Sequence, residues 1–460
     1  MKRTLAEFAT AMGGTLMGRD AAFSAISTDT RSIAAGELFV ALSGPNFDAH
    51  DFVATAAARG AAGAVVSRRV DIDLPQLVVD DTLAALQRAA SAWRAQFGIP
   101  VIAVAGSNGK TTTKELIATV LAGQGPCLAT KGTLNNHIGV PLTLLGLDAH
   151  HRTAVIEIGA NHPGEVAALV AIVHPTVGIV TNAGAEHLEG FGTIDGVARA
   201  EGELFAGLGP EATAIVNADD AFADLWTSMN RGGRTLRFGL SAQADYRLTG
   251  AVASEAPQGV GQCFELATPA GRVEVRLLLA GHHNVVNALG AAAAAHAAGA
   301  ELAAIADGLG RMRPVRGRLE LHAALGGARV LDDSYNANPS SVSAGLAVLA
   351  GLGGERWLVF GDMAELGDAA VAAHVAVGQE ARAAGVTRLF AVGELARQAV
   401  TVFGAGAAWF ADAEALIGAI IPELRVGVTV LVKGSRVNRL ERVVAALRGA
   451  TGAAPVASGS

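Results

Sequence analysis

The sequence predicts an α/β protein of three domains, in which a small N-terminal α/β domain and a C-terminal Rossmann-like domain flank a central, largely parallel sheet. Three observations predict it. Short apolar runs alternate with helical patterns over most of the chain, the rhythm of parallel strands joined by crossover helices. Changes of texture near residues 82 and 314 give expected domains at 1–82, 83–313 and 314–460. Finally, a glycine-rich turn at Gly106–Thr112 joins an apolar run to a helical pattern, the mark of a P-loop mononucleotide-binding sheet.

The N-terminal domain is read from the apolar runs Glu37–Leu42 and Gly63–Val66, with a helical pattern from Asp51 to Arg59 between them. A helix over Thr82–Gln96 leads onward. The run Val101–Ala105 then predicts a buried strand, followed by the turn and a helix over Thr111–Ala122. Further buried strands are expected at Thr153–Ile158, Val177–Thr181 and Thr213–Val216, because short apolar runs suit a sheet covered on both faces. Alternation such as Val273-Glu274-Val275-Arg276-Leu277 makes Tyr246–Leu279 antiparallel. After Pro314 the rhythm restarts, with strands at Arg329–Leu331, Arg356–Phe360, Arg388–Val392, Ala407–Phe410 and Thr429–Val432. Helices are expected at Pro339–Ala350 and Ala369–Ala384, and the small, polar tail Gly449–Ser460 reads as disordered.

Composition excludes several classes. The chain of 460 residues is 51% apolar and 17% charged, enough to bury more than one core. With 35 basic against 42 acidic residues and a net charge of -7, no nucleic-acid partner is expected. Cys127 and Cys263 have no disulfide-framework or metal-ligand spacing. Neither a signal peptide nor a run long enough to span a bilayer is read, so a cytoplasmic, non-membrane protein is expected, and a monomer.

Gly106-Ser107-Asn108-Gly109-Lys110-Thr111-Thr112 lies where strand gives way to helix. There, glycines let backbone N–H groups converge on phosphate oxygens beside the positive end of a helix dipole. Lys110 would reach the β- and γ-phosphates and Thr111 would bind Mg²⁺. The turn is a shortened form, since Val104 stands where the common pattern has a further glycine. By itself it fits hydrolases, kinases and ligases alike. Glu157 ends a strand in the crevice where open α/β sheets bind ligands; it is a Mg²⁺ candidate or a satisfied strand-end carboxylate. His187 follows the next strand and is metal-binding or structural. Asn284 and Asn287, one turn apart, are placed to read an adenine edge, although Asn284 is also a candidate helix cap. Arg316-Gly317-Arg318 brings cations to the junction with the third domain.

Taken together, these residues and further motifs resemble the Mur ligase family from about Ser27 to Leu447. The motifs are Ser27-Thr28-Asp29-Thr30-Arg31, Leu134-Asn135-Asn136-His137, Glu157–Glu165, Asp332–Pro339, Gly361–Gly367 and Lys433-Gly434-Ser435-Arg436. The resemblance implies ATP-dependent amide ligation in peptidoglycan precursor synthesis. The terminal carboxylate of a UDP-MurNAc-tripeptide would become an acyl phosphate, and D-Ala-D-Ala would then attack it, leaving ADP and phosphate. The first domain would bind the UDP-sugar peptide, the second ATP, and the third would close over both. Residue by residue, Thr111 and Glu157 would serve one Mg²⁺ and His187 would help hold a second, with Lys110 neutralising phosphoryl charge. Asn284 and Asn287 would face adenine, Arg318 and Asp333 would contact ATP, and Asn135 and Asn136 would lie near the substrate. Tyr335, Asn336 and Arg436 would serve the dipeptide side.

One position departs from the family pattern. Where the family carries a lysine carbamylated by CO₂ as a Mg²⁺ ligand, this chain has Glu201. A glutamate supplies the same charge on a shorter arm, so Glu201 is expected to replace the carbamate, directly or through a water. The alternative is a solvated helix residue.

Overall fold

A computed structural model describes residues 3–254 and 261–449. The tail expected to be disordered lies, from residue 450 onward, outside the described residues. Three mixed sheets organise the chain. The first has five short strands in the order Thr15–Met17, Gln76–Val78, Gly63–Val66, Leu38–Val40 and Ile26–Ser27, with only the first pair antiparallel. The second has nine strands. Its parallel part runs Cys127–Ala129, Thr153–Glu157, Val101–Ala105, Val177–Val180, Thr213–Asn217, Arg234–Gly239 and Tyr246–Ser254, and an antiparallel edge follows with Gln262–Thr268 and Gly271–Leu277. The third orders Glu320–Ala323, Arg329–Asp333, Val428–Lys433, Glu355–Gly361, Arg388–Val392 and Ala407–Phe410, parallel except for the first pair.

Burial explains which strands form. Val101–Ala105 is buried at all five positions, as an apolar run covered on both faces must be. The helix Thr82–Arg94 begins at Asp81, whose carboxylate accepts the Leu83 and Ala84 N–H groups. It buries Leu86, Ala89, Ala90 and Trp93 in a core that also takes Leu5 and Phe8 from the N-terminal helix and Val101 and Ala103 from the central sheet. The first two sheets are thus joined through shared apolar packing. On the opposite face of the central sheet lies the alanine-rich helix His282–Ala297. Its small side chains permit a close approach: a Cβ at Gly290 would stand 3.0 Å from Ile179 and Phe238.

Two local expectations change. The segment expected as a helix over Asp51–Arg59 is a 3₁₀ turn, Ala49–Phe52, running into a shorter α-helix, Val53–Ala58. Asn284 is not a cap, because the helix begins after Gly281 and Asn284 is its third residue.

Placing Val101–Ala105 between Thr153–Glu157 and Val177–Val180 sets Glu157 opposite Val104 and Val180 opposite Ala105. The carboxyl ends of these strands therefore open together beside the glycine-rich turn, the crevice where such sheets take ligands.

Candidate active site

The turn needs its two glycines. Gly106 has φ +116°, and a Cβ there would sit 2.3 Å from Thr181 Oγ1. Gly109, φ +81°, caps the helix Lys110–Ala122, and its Cβ would lie 2.5 Å from Asn287 Oδ1. The loop is thereby pressed onto the sheet and the alanine-rich helix; the N–H groups of Gly106, Ser107 and Asn108 are bonded to Glu201 Oε2, Asn182 O and Asn182 Oδ1, which leaves those of the helix N-terminus for an anion.

Lys110 is folded back over this loop. Its Nζ donates to Gly106 O at 2.5 Å and Ser107 O at 3.3 Å, and pairs with Glu186 Oε1 at 3.1 Å. Burial alone would lower its pKa; Glu186, Glu201 and Glu157 outweigh that, and the ammonium is held above its ordinary value. Burial would in turn raise the Glu186 carboxyl, but Lys110 and His187 keep it below the usual range. Glu157 is 3% exposed. Its Oε1 accepts from Asn135 Nδ2 at 2.9 Å, whereas Oε2 is buried with no partner. Behind it, Thr130 Oγ1 accepts the Glu157 N–H, and Lys114 Nζ donates to Thr130 O at 2.8 Å. A buried carboxylate oxygen without a donor, in a cavity that Thr111 also lines, is the hard-oxygen setting that suits Mg²⁺.

Lys110, Thr111, Glu157 and Glu186 line a cavity of about 1090 Å³ with walls from all three sheets' domains. Ser27 to Ser32, Phe39, Phe47 and Phe52 come from the first. Ser107–Thr111, Asn135, Asn136, Glu157, Glu186 and His187 come from the second. Arg318, Tyr335, Asn336, Asn338 and Ser341 come from the third. Arg318 lies over the Tyr335 ring, 4.2 Å from its centroid, which holds the guanidinium at the junction. The third domain grips the phosphate loop directly: Asn338 Nδ2 donates to Asn108 Oδ1 at 2.9 Å and Asn108 Nδ2 to Ser340 Oγ at 3.0 Å.

Other expected site residues do not line the cavity. Gly106 and Thr112 belong to the loop but are absent from the wall. Asn284 Nδ2 donates to Ala280 O, and Asn287 Nδ2 to Asn284 Oδ1, with Asn287 packed beneath Gly109. Asp333 is paired with Lys433 at 2.6 Å, both buried; burial pushes the carboxyl up and the ammonium down. Arg436 faces Glu441 at 3.5 Å on the surface.

Glu201 departs furthest from expectation. It is not solvated, being 4% exposed, and it does not reach the cavity either. Its Oε2 accepts the Gly106 N–H at 2.7 Å, so the short arm is captured by the loop backbone from behind. Burial, partly offset by Lys110 and reinforced by Glu186, pushes its pKa up to about 7. Among the described residues the one tight cluster of three histidine or acidic side chains is Glu320, His322 and Asp332, in the third sheet. Two contributors were missed as site residues from the sequence. Glu186 is signalled only by a second acid beside His187, and the Asn108–Asn338 contact joins residues 230 positions apart.

The fold and site define a class: a three-sheet α/β protein with a nucleotide phosphate loop at a cleft that a third domain closes. The comparisons narrow it. Residues 104–295 match the Mur ligase middle domain and residues 317–436 the Mur ligase glutamate ligase domain. The UDP-N-acetylmuramoyl-tripeptide–D-alanyl-D-alanine ligase of Escherichia coli K12 is 45% identical over 97% of this chain and 98% of its own. A crystal structure of MurF from Acinetobacter baumannii superposes with a TM-score of 0.90 at 35% identity, covering 98% of this chain and 99% of that one. MurF ligase from Thermotoga maritima, in complex with ADP, gives 0.82 at 26% identity, covering 93% and 97%. The chain belongs to the Mur ligase family.

Proposed function

We infer that the chain joins D-Ala-D-Ala to the terminal carboxylate of a UDP-MurNAc-tripeptide at the expense of ATP, releasing ADP and phosphate in peptidoglycan precursor synthesis. The observation that carries this reading is the single cavity that adjoins Lys110 and is walled by the first and third domains, in a chain 45% identical to an enzyme of that name.

A carboxylate resists amines until one oxygen becomes a good leaving group. Its attack on the γ-phosphorus expels ADP and gives an acyl phosphate. The dipeptide amine then adds to the acyl carbon, and the tetrahedral intermediate expels phosphate as the amide forms. Lys110 neutralises charge on the transferred group once phosphate draws it from Glu186. The N–H groups at the N-terminus of the helix Lys110–Ala122 orient the phosphates. A bound Mg²⁺ would supply further neutralisation, with Thr111 and Glu157 holding one ion and His187 the second. Glu201 acts from behind, fixing the Gly106 amide. Arg318 serves ATP at the domain junction, Asn135 and Asn136 serve the tripeptide, and Tyr335 and Asn336 the incoming dipeptide. Phe47 and Phe52, half exposed on the first-domain wall, offer apolar faces to the UDP-sugar.

The test is phosphate release by the purified chain with ATP and Mg²⁺. The reading requires release that depends on both UDP-MurNAc-tripeptide and D-Ala-D-Ala, with amide product in equal amount. Release with neither acceptor present, or with folate and glutamate instead, overturns it.

A further inference from the structure

His187 stands between two carboxylates from different domains. Its Nδ1 pairs with Glu365 Oε2, and its Nε2 lies 3.3 Å from Glu186 Oε1, on the cavity wall. His187 and Glu365 are both non-glycine residues in the left-handed region, with φ 50° and 63°. Such conformations persist only where surrounding structure imposes them.

For Glu365 the imposing structure is plain. The segment carrying it is tied down on each side: Met363 N–H donates to His374 Nε2 at 2.9 Å, and His374 Nδ1 donates to Ala370 O. Ala364 N–H donates to Ser435 Oγ at 2.8 Å. Asp362 Oδ1 accepts the Ala396 N–H, and Asn438 Oδ1 accepts that of Asp362. Glu365 itself is 52% exposed in its side chain and contributes nothing to the core of its own domain. The loop is built rigidly to hold out one carboxylate, and that carboxylate meets His187.

We propose that Glu365 is the positioning residue for His187, delivered by the third domain, so that the ion site around His187 is complete only when that domain is docked. The inference rests on reading His187 as an ion ligand. A carboxylate accepting Nδ1–H fixes the imidazole tautomer and turns the Nε2 lone pair toward the cavity. Ligating histidines are commonly held this way. Against the effect of burial, the hydrogen bond to Glu186 and the two carboxylates raise the imidazole pKa, so Nε2 shares a proton with Glu186 Oε1, which also accepts from Lys110; a cation bound there would take that proton's place. The 3.3 Å separation of Nε2 and Oε1 is close to the spacing of roughly 3 Å between neighbouring ligands of an octahedral ion bound at about 2.1 Å. Imidazole is a modest partner for a hard ion such as Mg²⁺, so its contribution depends on being aimed in advance.

The experiment uses full-length protein with ADP and Mn²⁺ as the probe ion, free Mn²⁺ being read by its electron paramagnetic resonance signal. His187→Ala identifies the ion that depends on His187. Glu365→Ala is expected to weaken that same ion by about 10- to 100-fold while ADP affinity and the tighter ion stay unchanged. Adding Glu365→Ala to His187→Ala should weaken it no further. In ¹⁵N-histidine-labelled protein the Nδ1–H signature of His187 should be lost in Glu365→Ala and kept in Glu365→Asp. If His187→Ala weakens an ion but Glu365→Ala does not, the positioning role is wrong and the ligand reading survives. If His187→Ala leaves all Mn²⁺ binding intact, the ligand reading fails and takes the proposal with it.

Discussion

Replacing Glu201 by Gln should remove a pH dependence that the wild-type fold carries. Glutamine keeps an oxygen for the Gly106 N–H, which Glu201 now holds at 2.7 Å, but it has no charge to bury. In the folded chain burial raises the Glu201 pKa from its ordinary 4.5 to about 7. Between those values the native state keeps a proton that the unfolded chain has lost, so stability falls as pH rises through the interval. Each pH unit is worth about 1.4 kcal/mol, so the interval amounts to roughly 3 kcal/mol. The stability advantage of Glu201→Gln over wild type should therefore grow by that amount from pH 4.5 to 7.5 and then level off. Urea unfolding without nucleotide measures it, followed by the fluorescence of Trp226 with the other three tryptophans replaced by Phe. Trp226 is a local reporter, since its Nε1–H donates to Ala198 O on the helix that carries Glu201. A difference that stays flat within about 0.5 kcal/mol across this range would refute a buried, proton-retaining carboxyl.

Three further outcomes are expected. Lys110→Met should lower turnover by about two to three orders of magnitude in the phosphate-release assay, as loss of a preorganised charge does, and should lower the melting temperature as well, because Glu186 loses its buried cation. Gly109→Ala combines a φ of +81° with a Cβ 2.5 Å from Asn287 Oδ1; it should cost about 1–3 kcal/mol in urea unfolding and raise the KM for ATP. Asp333→Ala should cost about 3–5 kcal/mol by leaving Lys433 buried alone, whereas the double variant Asp333→Leu/Lys433→Met should recover most of that loss. Equal losses in the single and double variants would count against the ion pair as the cause.

The central fold was readable because strands buried on both faces must be apolar throughout, as Val101–Ala105 and Val177–Val180 are. Short strands carry no such signal. Cys127–Ala129, Ile26–Ser27 and Gln76–Val78 span two or three residues and form only because neighbours present a ladder. Arg234–Gly239 escaped notice because arginines interrupt its apolar residues. At the site, the phosphate loop was readable since its chemistry lies in consecutive residues. The fate of Asp333 was not, because its partner Lys433 is 100 residues away and only the pairing of two strands brings them level. Glu201 was identified as the anomalous position, but whether its carboxylate met ion, water or backbone depended on a loop 95 residues earlier.

The contacts of Asn108 tie the phosphate loop to the third domain. The tip of the phosphate loop is also a handhold for Asn338 and Ser340 of the third domain, so nucleotide and domain share one grip. Opening of the cleft must therefore break hydrogen bonds made by the phosphate loop itself, so hinge and loop are mechanically linked.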